Sequence, residues 1–152
     1  MVEKRWHTRE DSGLELDAQL RWWHDGEPVE HPKVIEAFNK GLKVTEDGRY
    51  KLEFGNDWCF VKVHGPAYGV TAVDVSEEGV SVRLTDRTAE LIDPATLAVG
   101  ADGALTVRVK DGRATARFSR DAQFQLGELA VETERGPVLR ANGREWALPV
   151  SA

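Results

Sequence analysis

The sequence predicts an α+β fold in which short antiparallel strands and hairpins wrap around two helices. Three observations lead to this prediction: tight-turn dipeptides recur along the chain, the segments between them alternate apolar and polar residues, and only two segments show clear helical periodicity. The turn dipeptides are Asp25-Gly26, Asp47-Gly48, Asp102-Gly103, Asp111-Gly112 and Asn142-Gly143, with Glu78-Gly79 as a weaker sixth.

Length and composition fit one soluble globular domain covering residues 1–152. Of the 152 residues, 41% are hydrophobic and 30% are charged, which is enough for one compact core. The net charge of -6, without a cluster of Lys and Arg, predicts no nucleic-acid partner. The first twelve residues are polar and no apolar run could span a bilayer, so we expect no membrane association and a cytoplasmic protein. Cys59 is the single cysteine, which excludes an internal disulfide and fits a reducing compartment.

The first predicted strand ends at a tryptophan pair. Apolar residues occupy every second position from Leu14 to Trp22, which predicts one continuous strand face with Trp22 in the core. A two-residue turn at Asp25-Gly26 would place Trp22 opposite Val29, Trp23 opposite Pro28, and His24 opposite Glu27. Trp23 would then stand on the reverse face, at a sheet edge marked by the proline.

Three further segments alternate with a period of two and predict half-buried antiparallel strands. Their apolar faces are Tyr50, Leu52 and Phe54; Val80, Val82 and Leu84; and Leu105, Val107 and Val109. In a fourth segment, "WCFVKVH", both faces carry apolar residues. Cys59, Val61 and Val63 lie on one face and Trp58, Phe60, Lys62 and His64 on the other. This strand is therefore either central and covered on both sides, or it presents Trp58 and Phe60 to an open groove.

The two helices are predicted from caps and spacing. In "HPKVIEAFNKGL" (31–42), Pro32 suits the first helical position and Gly41 the last, with one apolar face: Val34, Ile35, Phe38 and Leu42. In "SRDAQFQLGELAVE" (119–132), Ser119 is the expected N-cap, and the apolar face is Ala122, Leu126, Leu129 and Ala130, although Gly127 weakens this helix. A single short helical turn ended by Pro94 is a third candidate, within residues 86–97.

The two helices have similar surroundings in the sequence. Each follows an Asp-Gly hairpin (25–26 and 111–112) and precedes an Asp-Gly-Arg or Asn-Gly-Arg turn (47–49 and 142–144). This pattern suggests a duplicated strand-and-helix motif with halves at about 13–76 and 77–150, but such turns are frequent enough to coincide by chance. Neither half alone would bury a sufficient core, which favours one domain.

The candidate ligand-binding residues lie on two predicted strands, the one with Trp23 and the one with Trp58, on the face opposite to Trp22 and Cys59. They comprise three aromatic residues and three cationic neighbours: Trp23, Trp58, Phe60, Arg21, Lys62 and His64. Aromatic rings would contact an apolar ligand surface, and the cationic side chains would attract an anionic group. The alternative is that the other half of the molecule, or a second subunit, covers Trp23.

The sequence contains no motif for metal binding or catalysis. The potential metal ligands His24, His31, Cys59 and His64 do not converge, because Cys59 and His64 point to opposite faces of one strand. We find no serine elbow, no Cys-His arrangement and no phosphate-binding loop, so we predict no catalytic residue and no cofactor. Asp57 and Asp74 are the two carboxylates that would merit inspection as an acid or base.

The run "WWHDGEPVEHPKVIEAFNKGLKVTEDGRYKLEF" (22–54) resembles a mainly proteobacterial family, domain of unknown function 1285. The matching positions are Trp22, Trp23, Gly26, Pro28, Val29, Val34, Phe38, Asp47, Gly48, Tyr50 and Leu52. "FQLGELA" and "RANGREWAL" look like the closing helix and strand of that family, but "FGNDWCF" departs from its pattern. The resemblance implies an α+β fold with a repeated strand-and-helix motif and a role in ligand sensing or signal transduction, with no catalytic residues to carry over.

The sequence therefore leaves two main alternatives for the function. The first is a small binding or regulatory module that holds a small molecule or peptide in a groove between the halves. The second is a structural or interaction protein that acts through its edge strands or as a homodimer that hides Trp23. An enzyme is the third alternative.

Overall fold

The computed structural model describes residues 8–149, which form two compact units that meet in the chain at Gly65 and Pro66. Unit 1 is described from Thr8 to Gly65 and unit 2 from Pro66 to Pro149. The sequence pattern placed the boundary later, near residue 76. The difference arises because the strand Tyr68–Ser76 pairs with strands of the second unit.

Unit 1 consists of one six-stranded sheet and one helix. Its elements are β1 (Leu14–Leu16), β2 (Trp22–His24), β3 (Glu27–Pro28), α1 (Pro32–Gly41), β4 (Leu42–Val44), β5 (Tyr50–Phe54) and β6 (Asp57–Val63). The strand order is β3-β2-β1-β6-β5-β4. Strands β1 and β6 run parallel, while the other neighbouring pairs are antiparallel. This order places β6 in the interior of the sheet.

The prediction of a continuous strand face from Leu14 to Trp22 is wrong. The chain turns back between β1 and β2, and Leu16 lies directly opposite Trp22. Asp17 forms this turn: its Oδ1 accepts the backbone N–H groups of Gln19 and Arg21, each at 2.9 Å. A carboxylate that bonds to nearby backbone N–H groups competes with extended pairing, and this competition overrides the apolar alternation.

The other predictions for this hairpin are confirmed. Trp23 lies opposite Pro28 on the edge strand β3, and His24 lies opposite Glu27. Trp22 is 1% exposed. Its indole N–H donates to Asn39 Oδ1 at 2.8 Å, and its ring meets Phe38 edge-to-face at 5.2 Å, so Trp22 joins the sheet to α1.

Helix α1 has the predicted bounds and N-terminal proline, and His31 Nδ1 caps it by accepting the Lys33 backbone N–H at 3.2 Å. The predicted core face is only partly correct. Leu42, the first residue of β4, is buried, but none of the ten helical residues is, and Val34 is 37% exposed. In β5, Leu52 is fully buried while Phe54 is exposed. The reason is that Val34 of α1 and Phe54 of β5 line a pocket and are not covered by a close-packed core.

Unit 2 contains two sheets and the second helix. Its elements are β7 (Tyr68–Ser76), β8 (Gly79–Leu84), β9 (Ala89–Leu91), a 3-10 helical turn (Pro94–Thr96), β10 (Ala98–Val99), β11 (Leu105–Val109), β12 (Ala114–Phe118), α2 (Arg120–Leu129), β13 (Val131–Thr133), β14 (Gly136–Ala141) and β15 (Arg144–Ala147). The larger sheet has the order β10-β11-β12-β7-β8-β9, with β12 and β7 parallel. The smaller sheet is the meander β13-β14-β15.

The predicted apolar faces of β8 and β11 are buried, as the alternation indicated. In α2, Ser119 Oγ accepts the Ala122 N–H at 3.1 Å, which confirms the predicted N-cap, and Ala122 and Leu126 are buried. Leu129 was predicted on the same face but is 39% exposed, because α2 ends there and the chain turns into β13. The predicted helical turn near Pro94 begins at that proline instead of ending there, since Asp93 Oδ1 caps it from the preceding position.

Each unit contains a hairpin, then a helix, then a three-stranded meander. The sheet topologies differ, because the meander of unit 1 belongs to the large sheet whereas that of unit 2 forms a sheet of its own. The α+β class is therefore confirmed, while the duplication stays a prediction.

Neither helix in the described part of the chain has the length and hydrophobicity that a membrane span requires.

Candidate functional site

Strand β6 positions most of the aromatic residues that the sequence indicated. Alternation along the strand buries Cys59 and Val61 toward the core and turns Trp58, Phe60 and Lys62 toward the reverse face. Trp58 and Phe60 are half-buried, and their rings meet edge-to-face with centroids 5.2 Å apart. Strand β6 is thus central in its sheet, yet it keeps part of both rings accessible.

Cations lie over both rings. The Arg9 guanidinium is 4.7 Å from the centroid of Trp58, and Lys51 Nζ is 5.4 Å from the same ring. The Arg49 guanidinium lies 3.4 Å from the centroid of Phe60. The negative face of an aromatic ring attracts a cation at these distances, so the rings hold positive charge in place.

Asp57 anchors Arg9 next to Trp58. Its Oδ1 accepts the backbone N–H of Trp58 at 2.8 Å and the Arg9 Nη2 group at 3.3 Å. These two bonds, the first more than the second, hold the pKa of Asp57 below its usual value. A general acid needs the opposite shift, and Asp74, the other carboxylate considered, is exposed on β7.

Trp58 lines an apolar pocket beside α1. The pocket has a volume of about 620 Å³. Its apolar lining residues are Leu14, Val29, Val34, Phe38, Phe54, Trp58 and Cys59, and its polar lining residues are Thr8, Arg9, Ser12, His24 and Asp57. Both the volume and the mainly apolar lining are typical of a site for a small organic molecule.

A second, polar pocket of about 480 Å³ lies in the same unit, and Phe60 and Lys62 belong to its lining. The Glu10–Arg49 ion pair at 2.7 Å forms part of its wall. The hydrogen bond from Arg49 lowers the pKa of Glu10. Asp11, Glu15 and Asp25 also belong to its lining, so residues of both charges line this pocket.

The other three predicted ligand-binding residues line neither of these pockets, and each lies within hydrogen-bond distance of a carboxylate. Trp23 donates its indole N–H to Asp17 Oδ2 at 2.9 Å, and Arg21 Nε donates to the same oxygen at 3.1 Å. His64 Nε2 lies 2.8 Å from Glu15 Oε1. The structure therefore places Trp58 in one pocket, Phe60 and Lys62 in another, and does not gather all six residues into one cavity.

Sequence reasoning missed most of the apolar pocket. Arg9 lies in the polar segment before β1, and nothing in the sequence indicates that its side chain contacts the ring of Trp58. Val34, Phe38 and Phe54 were predicted as core. The amphipathic pattern of α1 identifies its apolar face, but this pattern does not distinguish the wall of a pocket from a core.

The residues considered for metal binding do not converge. Among residues 8–149, no group of three or more His, Cys, Asp or Glu side chains is placed to hold a metal ion. His31 serves as the N-cap of α1, and Cys59 is buried, which raises the pKa of its thiol.

Unit 2 contains an ion pair between a buried carboxylate, Asp86, and a half-buried lysine, Lys110. Lys110 Nζ lies 2.6 Å from Asp86 Oδ2 and 3.0 Å from Thr88 Oγ1, and it stands 5.0 Å from the ring centroid of Tyr68. The Asp86 side chain is 0% exposed. Burial alone would raise the pKa of Asp86, but the hydrogen bonds from Lys110 and Thr88 outweigh it, and the pKa lies below its usual value. This cluster joins the turn after β8 to the end of β11.

Comparison with known proteins supports the fold. Neither a protein-family model nor a curated protein matches the chain. The crystal structure of a DUF1285 family protein from Silicibacter pomeroyi DSS-3 has a TM-score of 0.63 and 19% identity, over 90% of this chain and 79% of that one. A DUF1285 family protein from Shewanella baltica OS155 has a TM-score of 0.55 and 14% identity, over 77% of this chain and 91% of that one. The resemblance to this family, inferred from the sequence, is confirmed at the level of the fold.

Proposed function

We propose that this protein is a small cytoplasmic binding module and that unit 1 holds its ligand in the apolar pocket beside α1. The observation that carries the proposal is that no residue of α1 is fully buried, and that Val34, which is 37% exposed, and the half-buried Phe38 line this pocket. Leaving the uncovered part of this face in water is unfavourable by roughly 25 cal/mol per Å² of apolar surface, and a ligand would remove that cost.

The lining defines the class of ligand. Most of the wall is apolar, which selects a ligand with an apolar body. At the rim, the Arg9 guanidinium is held over Trp58, and its 3.3 Å bond to Asp57 uses one of its five N–H groups. Arginine pairs well with carboxylates. The proposed ligand is therefore a small apolar molecule with a single carboxylate.

Asp57, the carboxylate that lines this pocket, does not make a cationic ligand a better match than an anionic one. Asp57 Oδ1 already accepts two hydrogen bonds, one from the backbone of Trp58 and one from Arg9, so this oxygen is a poorer acceptor for a cationic ligand. Glu53, the cross-strand neighbour of Trp58, is exposed and does not line the pocket. Lys51, which also lies outside the lining, has its Nζ 5.4 Å from the centroid of the same ring.

Three ten-carbon ligands test the proposal: decanoate, decanol and decylamine, titrated at neutral pH below their aggregation limits. Decanoate should bind with the highest affinity, and amide chemical shifts should change around α1 and β6 but not in unit 2. Equal binding of decanoate and decanol would retain the pocket and reject the carboxylate. Preference for decylamine would assign the rim to cations, and binding of none of the three would reject the pocket.

Substitutions at exposed positions keep the test independent of folding. Phe54 is 45% exposed, so Phe54→Ser should weaken decanoate binding at least fivefold with little loss of stability, and Arg9→Gln should weaken decanoate but not decanol. Phe124→Ala, at an exposed phenylalanine of unit 2, is the matched control and should leave binding unchanged.

Ligand sensing is the regulatory part of this proposal. A ligand shifts a conformational equilibrium only by its difference in affinity between the two states. Hydrogen exchange with and without decanoate tests the sensing role: slower exchange beyond the pocket residues is expected, and protection confined to the pocket would argue against it.

The repeated order of hairpin, helix and meander supports the further proposal that the two units arose by duplication and that unit 1 became the binding unit.

A further inference from the structure

Helix α2 carries a phenylalanine directly opposite its buried face. Ala122 and Leu126 face the core of unit 2, whereas Phe124 is 69% exposed. Isolated exposed apolar residues are common, but an exposed phenylalanine at the centre of a helix indicates a contact surface when the residues beside it on the same face are complementary to a partner.

The neighbours of Phe124 form such a pattern. Arg120, Phe124 and Glu128 are four residues apart, so they lie on one helical face, and all three are exposed. This outer face therefore has a cation at its N-terminal end, an aromatic ring at its centre and a carboxylate at its C-terminal end. A face with this order is complementary to itself when a second copy is turned by 180°.

The shape beside the ring fits the same arrangement. Gly127 lies next to Phe124 on the outer face, and a Cβ at this glycine would meet nothing within 4 Å. Gly127 also belongs to the lining of a shallow hollow of about 880 Å³ that includes Phe118, Gln123 and the Arg117–Asp102 ion pair. A helix without a side chain at this point allows another helix to approach closely.

We propose that the outer face of α2 binds a second copy of this chain in an antiparallel, twofold-symmetric helix pair. Phe124 of each copy enters the hollow beside Gly127 of the other, and Arg120 pairs with Glu128 across the interface in both directions. The proposal is independent of the pocket in unit 1, because its residues all belong to unit 2.

The expected dimer is weak. A ten-residue helix is about 15 Å long, which is short for an interface of standard size. Sedimentation velocity over a concentration series should therefore show a monomer in dilute solution and a dimer at high concentration. A monomer at every concentration would overturn the proposal.

Charge exchange tests the geometry. Arg120→Glu and Glu128→Arg should each weaken the dimer at least tenfold, because each places two like-charged pairs across the interface. The double variant, with both charges exchanged, should restore the wild-type dissociation constant. Both substitutions favour the helix itself, since they place an acid near its N-terminus and a base near its C-terminus, so misfolding does not explain a loss of dimer.

Phe124→Glu tests the central contact and should abolish the dimer. Leu91→Glu changes another exposed apolar residue of unit 2, which is 52% exposed and lies outside α2, and it should leave the dimer intact. A dimer that persists in Phe124→Glu, or single charge variants that the double variant does not rescue, would place the interface elsewhere.

Discussion

The indole N–H of Trp23 donates to Asp17 Oδ2 at 2.9 Å, and this bond joins the second of the paired tryptophans to the turn that reverses the chain before it. The other oxygen of the same carboxylate accepts the backbone N–H groups of Gln19 and Arg21. One acidic side chain therefore both forms the turn and orients Trp23. Trp22, one residue earlier, points the other way into the core.

Replacing Asp17 should destabilise unit 1. Asp17→Ala removes the acceptor for the turn and for Trp23, and we expect the free energy of unfolding to fall by about 1–2 kcal/mol in urea titrations. Asp17→Asn keeps one carbonyl oxygen for the backbone N–H groups and should cost about half as much. Asp74→Ala, at an exposed carboxylate, is the control and should change stability by less than about 0.5 kcal/mol. Equal effects of Asp17→Ala and Asp74→Ala would contradict the role assigned to the turn.

The two helical glycines should respond to alanine in opposite directions. Gly41 ends α1 where a Cβ would collide with the backbone oxygen of Glu53, so Gly41→Ala should cost about 1–3 kcal/mol. A Cβ at Gly127 meets open space, so Gly127→Ala should stabilise α2 by about 0.5–1 kcal/mol through its higher helix propensity. Thermal unfolding of dilute protein measures both. A stabilising Gly41→Ala would show that α1 and β5 are not in close contact.

Removing only one of the two charges of the Asp86–Lys110 pair should lower the free energy of unfolding. Lys110→Met leaves a carboxylate buried without its counter-ion, and we expect a loss of about 3 kcal/mol in the free energy of unfolding. Asp86→Asn combined with Lys110→Met removes both charges and should be more stable than Lys110→Met alone. Arg140→Met, in an exposed pair with Glu145, is the control and should cost less than about 0.5 kcal/mol. A double variant that is no more stable than Lys110→Met would show that the buried charge is not the source of the loss.

Stability should fall in acid partly through Asp86. Its pKa in the folded chain lies below the ordinary value of an unfolded aspartate, about 3.9. The stabilisation that follows is complete above about pH 5 and is lost as the pH falls through the lowered pKa, because the unfolded chain takes up the proton more readily. The free energy of unfolding should therefore decrease less between pH 5 and pH 3 in Asp86→Asn than in the wild type. Parallel decreases in the two proteins would assign the acid sensitivity to other carboxylates.

Local patterns predicted much of the fold. The Asp-Gly and Asn-Gly dipeptides were enough to place turns, since few residues adopt the backbone angles that tight hairpins need. The alternation in β8 and β11 identified their buried faces, and Ser119 and Pro32 marked the starts of both helices. These features succeed because each depends on neighbours within a few residues.

The candidate site was predicted less completely. Trp58 was identified because its strand carries apolar residues on both faces, but its pocket depends on Arg9 and on Val34 of α1, which lie far from it in the sequence. Trp23 was identified because it stands on the face opposite to Trp22 at a sheet edge, yet its partner is Asp17, a residue that the apolar alternation placed inside a predicted strand.

What the sequence by itself determined is therefore the α+β class, the positions of both helices and of most hairpins, and which side of most strands is apolar. These follow from backbone preferences and from the periods of helices and strands, which are local properties. The tertiary structure decided that β1 pairs parallel with β6, that the chain divides after Gly65, and that the apolar face of α1 lines a pocket. The physical reason is that long-range pairing and close packing depend on which surfaces meet in space, and alternation records only that a side chain is apolar, not what lies against it.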